Sequence, residues 1–358
     1  MSILKSLFGG QKEPPKPTIT IQAMVPKNDD TPSVKKVDPF VQDLVLLSIA
    51  EKYKVGEKKY PDYFRSRFGI GFPNERFQAL EKKGYIRPAT AIESLPHLKA
   101  TELKAIASKF ELKATGKKDE LCSRITENVS EMDLSYLVPE RYWMLTGTGK
   151  DLLEENEYIS FFMQQHPYSL ENIGLDICTY SELFAGQSNC SVRDTLWEEF
   201  NRRSIAYYAI GKQKGEFRRY CDLLRTMSLF LEEEKRHTNA LAVYMRYIHY
   251  RVNFEASLQA INYYKLLKNI DNALDTLYMR AEIYPFIAEE IHTISDACDF
   301  DSKKLKLFME DSFSKEKDTG IFSPSQLTEF VMCGLNGDVE GQKSICNTAF
   351  RAAIRKIR

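Results

Sequence analysis

The sequence has little of what metal or redox chemistry at clustered side chains needs. Its seven Cys, at 122, 178, 190, 221, 298, 333 and 346, are scattered and include no Cys-x-x-Cys pair. That argues against a zinc ribbon or a disulfide framework and for reduced thiols. The five His (97, 166, 237, 249 and 292) form no His-Glu-x-x-His and no zinc spacing with Cys. No stretch approaches the roughly 18 consecutive apolar residues of a membrane span. The short apolar run after Met1 is too brief for a signal peptide, so a cytoplasmic location with no membrane partner is expected. Net charge is absent too, with 50 Lys+Arg against 50 Asp+Glu. What remains is 358 residues, 43% hydrophobic and 12% aromatic. That is enough for a sizeable core and, by length, two or three domains.

The zero total hides an asymmetry. Residues 1–51 balance, with six basic and six acidic side chains. Residues 52–125 carry 17 basic against 9 acidic, a net +8. Residues 126–358 carry 27 against 35, a net −8. Local density sets field strength, so a positive block of this size suits a polyanion-binding module. A lysine-rich helical surface is the plainer alternative.

Residues 1–37 read as a flexible Pro/Lys-rich arm, with five of the 14 prolines between 11 and 37. Asp38-Pro39 then reads as an N-cap followed by proline at the first helical position. The apolar run Phe40, Val41, Leu44, Val45, Leu47, Ile49 predicts a largely buried helix. A short helix is expected from Pro61 to Gly69 and another from Pro73 to Lys83, stopped by Gly84. Tyr85-Ile86-Arg87 starts a strand, and Arg141 to Thr146 reads as its partner, followed by Gly149, Leu152 and Leu153. This order resembles the winged helix-turn-helix, over 38–87 plus 141–158, with residues 88–140 inserted in the wing. In that family the helix before the Gly-Tyr-Ile strand enters the major groove, which makes Arg76, Lys82 and Lys83 candidate DNA contacts. Ile70 and Leu80 are ten positions apart, closer than the family's pattern, which leaves the presentation of that helix open.

The insertion carries the most specific signal. Leu103, Ile106, Ala107 and Phe110 fall at i, i+3, i+4 and i+7, one face of a helix. Glu111 to Gly116 is too short for another helix and is expected to cross extended, burying Leu112. Leu121 and Ile125 mark the inner face of a second helix. Two short helices joined by an extended crossover, with Leu98, Glu102-Leu103-Lys104, Leu112, Thr115-Gly116-Lys117-Lys118, Glu120-Leu121 and Arg124-Ile125, resemble the SAP domain, here placed at 92–130. This resemblance covers about a tenth of the chain, and it implies a SAP-containing protein of bacterial or phage type. The resemblance implies double-stranded DNA as partner, with modest sequence preference.

The residues point the same way by themselves. Gly116 permits a tight turn into the second helix, whose first amides form an anion site at the positive end of the helix dipole. Lys117 and Lys118 add full charges there, Arg124 lies further along, and Lys104 and Lys113 widen the patch. Thr115 and Gly116 belong to the same candidate DNA-binding set, and the plainer alternative is that Thr115 merely caps a surface helix whose lysines are solvated. Nothing resembles a code of Arg or Asn set for bidentate base contacts, so phosphate contact should dominate.

From residue 159 to 358 the chain reads as an acidic, aromatic-rich helical domain. Asn239-Ala240-Leu241 and Asn272-Ala273-Leu274 recur 33 residues apart, so a tetratricopeptide-like array and a plain helix bundle both remain open. Either would supply a surface for a protein partner or for self-association. Gly147-Thr148-Gly149-Lys150 fails as a phosphate loop, because Lys150 is followed by Asp151 and no Gly stands at 144. No cofactor and no catalytic site is expected. Two alternatives to a mainly α DNA-binding protein stay open: a protein-interaction adaptor, and a DNA-processing enzyme with a dispersed metal site.

Overall fold

The computed structural model describes residues 36–185, 191–318 and 320–357. The arm at 1–37 therefore lies outside the described residues except for its last two positions. The chain is mainly helical and divides into two compact units. Among the described residues, the first holds 36–165 and 175–195, and the second 166–174 and 196–357.

The first unit begins with α1 (Pro39–Ile49), where the Asp38 carboxylate accepts the Phe40 N–H at 2.7 Å. Val41, Leu44, Val45, Leu46 and Leu47 are all buried, so this helix has scarcely any wet face. Then come α2 (Tyr63–Phe68), ended by Gly69 at φ +66°, and α3 (Pro73–Lys82). Strand β1 (Ile86–Pro88) pairs antiparallel with a strand more than fifty residues later, Trp143–Leu145, in the register Ile86↔Leu145 and Pro88↔Trp143. On the other side of the later strand, Lys54 forms an isolated bridge to Tyr142. Trp143, buried, stacks on Phe77 at 5.9 Å and locks α3 to this small sheet.

Between the paired strands lie α4 (Ala91–Ser94), α5 (Ala100–Lys109), α6 (Lys118–Asn128) and α7 (Glu131–Leu137), the later strand being β2. These helices share a core of their own, with Leu95, Leu103, Ala107, Leu121, Ile125 and Leu134 all at 0% exposure. That core runs from Ala91 to Val138, wider than the 92–130 read from the sequence. The extra reach has a local cause. The Glu131 carboxylate accepts the N–H groups of Ala91 (2.6 Å) and Ile92 (2.9 Å), so α7 caps α4 across forty residues.

After β2, α8 (Gly147–Glu154) starts with the Thr146 hydroxyl accepting the Gly149 N–H at 3.1 Å. A Cβ at Gly149 would meet the Tyr85 carbonyl at 2.0 Å. The Gly-Thr-Gly-Lys string is thus accounted for by a capped helix start pressed against β1. The unit closes with α9 (Glu157–Met163) and α10 (Ile177–Phe184).

Two carboxylates make the inserted core sensitive to acid. Glu93 is held at about 2, first by the Arg87 guanidinium and then by the Thr90 N–H. Burial works against Glu131, yet the Ala91 and Ile92 N–H donors leave it below the ordinary carboxylate range. Both are depressed on folding, so their stabilisation is complete above the unfolded value near pH 4.5 and is lost as pH falls through the folded values. Melting temperature between pH 7 and 3 should therefore fall less steeply in Glu93→Gln with Glu131→Gln than in the parent. An equal slope would contradict the assignment.

The second unit contains α11 (Val192–Lys214, from Leu196 on), α12 (Arg218–Glu233) and α13 (His237–Ile248). A π-helical stretch, His249–Ala256, continues α13 directly into α14 (Ser257–Leu267). Next are α15 (Ile270–Ala281), α16 (Pro285–Ala297), α17 (Ser302–Ser314), α18 (Pro324–Leu335) and α19 (Val339–Ile357). The tetratricopeptide-like alternative does not describe these residues. From the first Asn-Ala-Leu copy the chain is one continuous helix to Leu267, broken once at Lys268–Asn269 before the second copy, whereas such an array needs two helices in each repeat. Ala240 and Ala273 recur because each is fully buried on its helix. The π-helical stretch has its own partner, since the Asn253 side chain pairs with the Phe322 carbonyl (3.0 Å) and N–H (2.9 Å).

Candidate nucleic-acid interface

The candidate basic residues fall into two groups with different surroundings. Arg76 and Lys83, at either end of α3, both turn to Asp43 of α1. Arg76 pairs with one Asp43 oxygen and also donates to the Pro39 carbonyl (2.7 Å), while Lys83 reaches the other oxygen at 2.8 Å. The outward positions of α3 are Glu75, Gln78, Ala79, Glu81 and Lys82, which together carry more negative than positive charge. Arg76 and Lys83 are thus already paired to Asp43, and their charges join α3 to α1. Of the α3 candidates only Lys82 points to solvent without an ion-pair partner among the described residues.

The inserted module differs. Lys104, Lys113, Lys117 and Lys118 are exposed, with no ion-pair partner among the described residues. Gly116 sits at φ +127°, a conformation that disfavours any side chain. Lys117, not Thr115, is the N-cap of α6, and no side chain caps the amides of its first turn. The Glu120 carboxylate instead folds back to the Lys117 N–H at 3.2 Å. The anion site at this helix start is thus open but shared with a carboxylate, which makes the lysine side chains its main attraction. Arg124 has another task. It is half-buried and donates to the Lys113 and Thr115 carbonyls, the latter at 3.1 Å, so it pins the crossover that presents Lys113.

One basic residue escaped the sequence reading. Lys99 is the N-cap of α5, and its N–H is bound by Glu102 at 2.6 Å, the same Lys-x-x-Glu start as Lys117 and Glu120. That repeated spacing was the available signal. α6 packs on the turn Leu95–His97 that leads into α5. Burial pushes the His97 imidazole below its usual range, Glu51 opposes, and Lys118 adds to the depression, which places Lys118 close by. The N-termini of α5 and α6 therefore share one end of the module, with Lys99, Lys117 and Lys118 around it.

These are two parallel-ended helices with an extended crossover and a lysine-ringed end. A SAP domain is found at residues 94–130. The SAP domain covers α5, α6 and their crossover, and suggests a nucleic-acid partner. A search of the curated proteins found no match to the chain. Around the SAP domain, the His97 ring stacks on Tyr142 at 4.1 Å and seats it on the small sheet. Among the described residues no group of three or more His, Cys, Asp or Glu is suited to a metal ion, and no helix is long and apolar enough to cross a membrane.

Proposed function

We propose that this chain binds duplex DNA through its SAP domain, by phosphate contact and without catalysis. The observation that carries the reading is the exposed, unpaired set Lys104, Lys113, Lys117 and Lys118 on a SAP domain, at and around a helix start whose first amides are uncapped. The host of that domain reads as a winged helix used as a scaffold. What supports this is the order of helix, bridge at Lys54, two helices, and then a strand pair opened by the insertion. What argues against groove insertion by α3 is its acidic outward face. The SAP domain then stands where a wing would.

The helical second unit is proposed to carry a protein partner or a second copy. Leu266, Leu267 and Met279 support this, being 79%, 52% and 59% exposed. Fluorescence anisotropy of the full chain on a labelled duplex tests the DNA reading. Binding should weaken linearly in log-log terms between about 50 and 200 mM salt, with little difference among sequences. Undetectable binding at about 50 mM salt would overturn it.

A further inference from the structure

Most of the net positive charge in residues 52–125 lies before the SAP domain, not in it. Residues 52–93 carry ten basic against five acidic side chains, and 94–125 carry seven against four. Part of the earlier set is spent on the fold: Arg76 and Lys83 on Asp43, Arg87 on Glu93, and Lys54 on Glu140. Lys52, Lys58 and Lys59 are not. They lie between α1 and α2, exposed and with no ion-pair partner among the described residues. A tight turn fixes the segment, since the Lys54 carbonyl accepts the Glu57 N–H at 3.2 Å and Gly56 takes φ +73°. Four lysines against one glutamate then stand within the eight residues 52–59.

That turn stands at the foot of the insertion. Residues 54–58 line a cavity of about 630 Å³ together with Pro88, where the chain leaves the small sheet, and Pro139 to Arg141, where it returns. Arg141 is half-buried. Its carbonyl accepts the Val55 N–H at 2.8 Å, but its guanidinium meets no acceptor among the described residues. Glu131 is near enough to feel that charge, without an ion pair. The acids of the cavity are engaged already, Glu140 by Lys54 and Glu57 by the Lys58 N–H at 3.1 Å. Lys58 and Arg141 are therefore the charges this cavity has to offer, and the planar fork of a guanidinium suits a phosphate.

The cavity is continuous with the lysine-ringed end of the SAP domain. Lys118 lies beside His97, the His97 ring stacks on Tyr142, and the Lys54 Nζ lies 5.9 Å from the centre of the Tyr142 ring. Glu51 approaches His97 too, from a half-buried position facing the Leu145 N–H at 3.5 Å. Two rings thus separate the SAP lysines from the turn, and the ring stack and the Lys54–Tyr142 bridge hold the two in one relation. Two cation sets joined in this way add their contacts to a single polyanion without a second cost of association. We propose that the duplex held by the SAP domain runs on over this turn, its phosphates contacted by Lys52, Lys58, Lys59 and Arg141. The inference rests on the DNA reading above and extends its footprint from the SAP domain onto the host.

The test uses the full chain and a labelled duplex of about 24 base pairs, followed by anisotropy from about 50 to 200 mM salt. Lys52→Gln with Lys58→Gln and Lys59→Gln should weaken binding about tenfold or more at about 50 mM salt. The slope of log affinity against log salt should become shallower by about three, and adding Arg141→Gln should remove about one more. The three lysines are exposed, so the melting temperature of the first variant should stay within about 2 °C of the parent's. Lys117→Glu with Lys118→Glu keeps the two readings apart. If that pair weakens binding while the three-lysine variant keeps the parent's affinity and slope, this inference is overturned and the SAP domain remains the interface. No binding by the parent would sink the DNA reading, and this inference with it.

Discussion

Exchanging Lys117 and Lys118 for Glu is expected to weaken duplex binding by about 30-fold at roughly 50 mM salt. Both side chains are exposed, and both stand at the start of α6, where no side chain caps the first amides. Reversal removes two phosphate contacts and adds repulsion beside the Glu120 carboxylate, which already folds onto the Lys117 N–H. The slope of log affinity against log salt should become shallower by about two, near 0.9 for each lost phosphate. Arg76→Ala with Lys83→Ala is the contrast. Those cations neutralise Asp43, so their loss should lower stability by about 1 kcal/mol while leaving DNA affinity within about twofold. An affinity loss in the second pair and none in the first would place the interface on α3.

The second large effect is on the module's own stability. Leu121 is fully buried in a core confined to residues between Ala91 and Val138. Leu121→Ala should destabilise that core by about 3 kcal/mol, combining lost transfer energy with the cavity left behind. The inserted core is distinct from the one around Leu44, Phe77 and Trp143, so opening should be local. Amide exchange is therefore expected to speed up by about a hundredfold in α5 and α6 and to stay nearly unchanged in α1. Uniform acceleration across both would show that the two cores unfold as one.

Where the sequence was readable and where it was not follows from the range of the interactions. Leu103, Ile106 and Ala107 announce their helix by spacing, and all three are buried; Phe110, the fourth of that set, is half-exposed because it caps the helix C-terminus. Leu121 and Ile125 do the same for α6. A helix face is written within one turn, so periodicity is enough. The SAP-like stretch read at 92–130 agrees with the SAP domain found at 94–130; the continuation of its core to Val138 was not legible, because Glu131 holds the amides of Ala91 and Ile92 from forty residues away. Arg76 and Lys83 looked available for the same reason: Asp43, which pairs with both, lies on α1, and no local pattern joins it to α3. The Asn-Ala-Leu repeat misled because two buried alanines on unlike helices produce the same short string. Lys99 could have been found, since its Lys-x-x-Glu start repeats that of Lys117.

The net charge of zero conceals the arrangement the account depends on, a +8 block at 52–125 that holds all but the last five residues of the SAP domain. The measurement that tests it most directly is hydrogen exchange of the full chain with and without saturating duplex DNA at low salt. The account predicts new protection in peptides covering Lys99 to Arg124, and none in those covering the outward face of Pro73–Lys82. Protection confined to Pro73–Lys82, or to residues after 196, with the SAP domain unchanged, would contradict it.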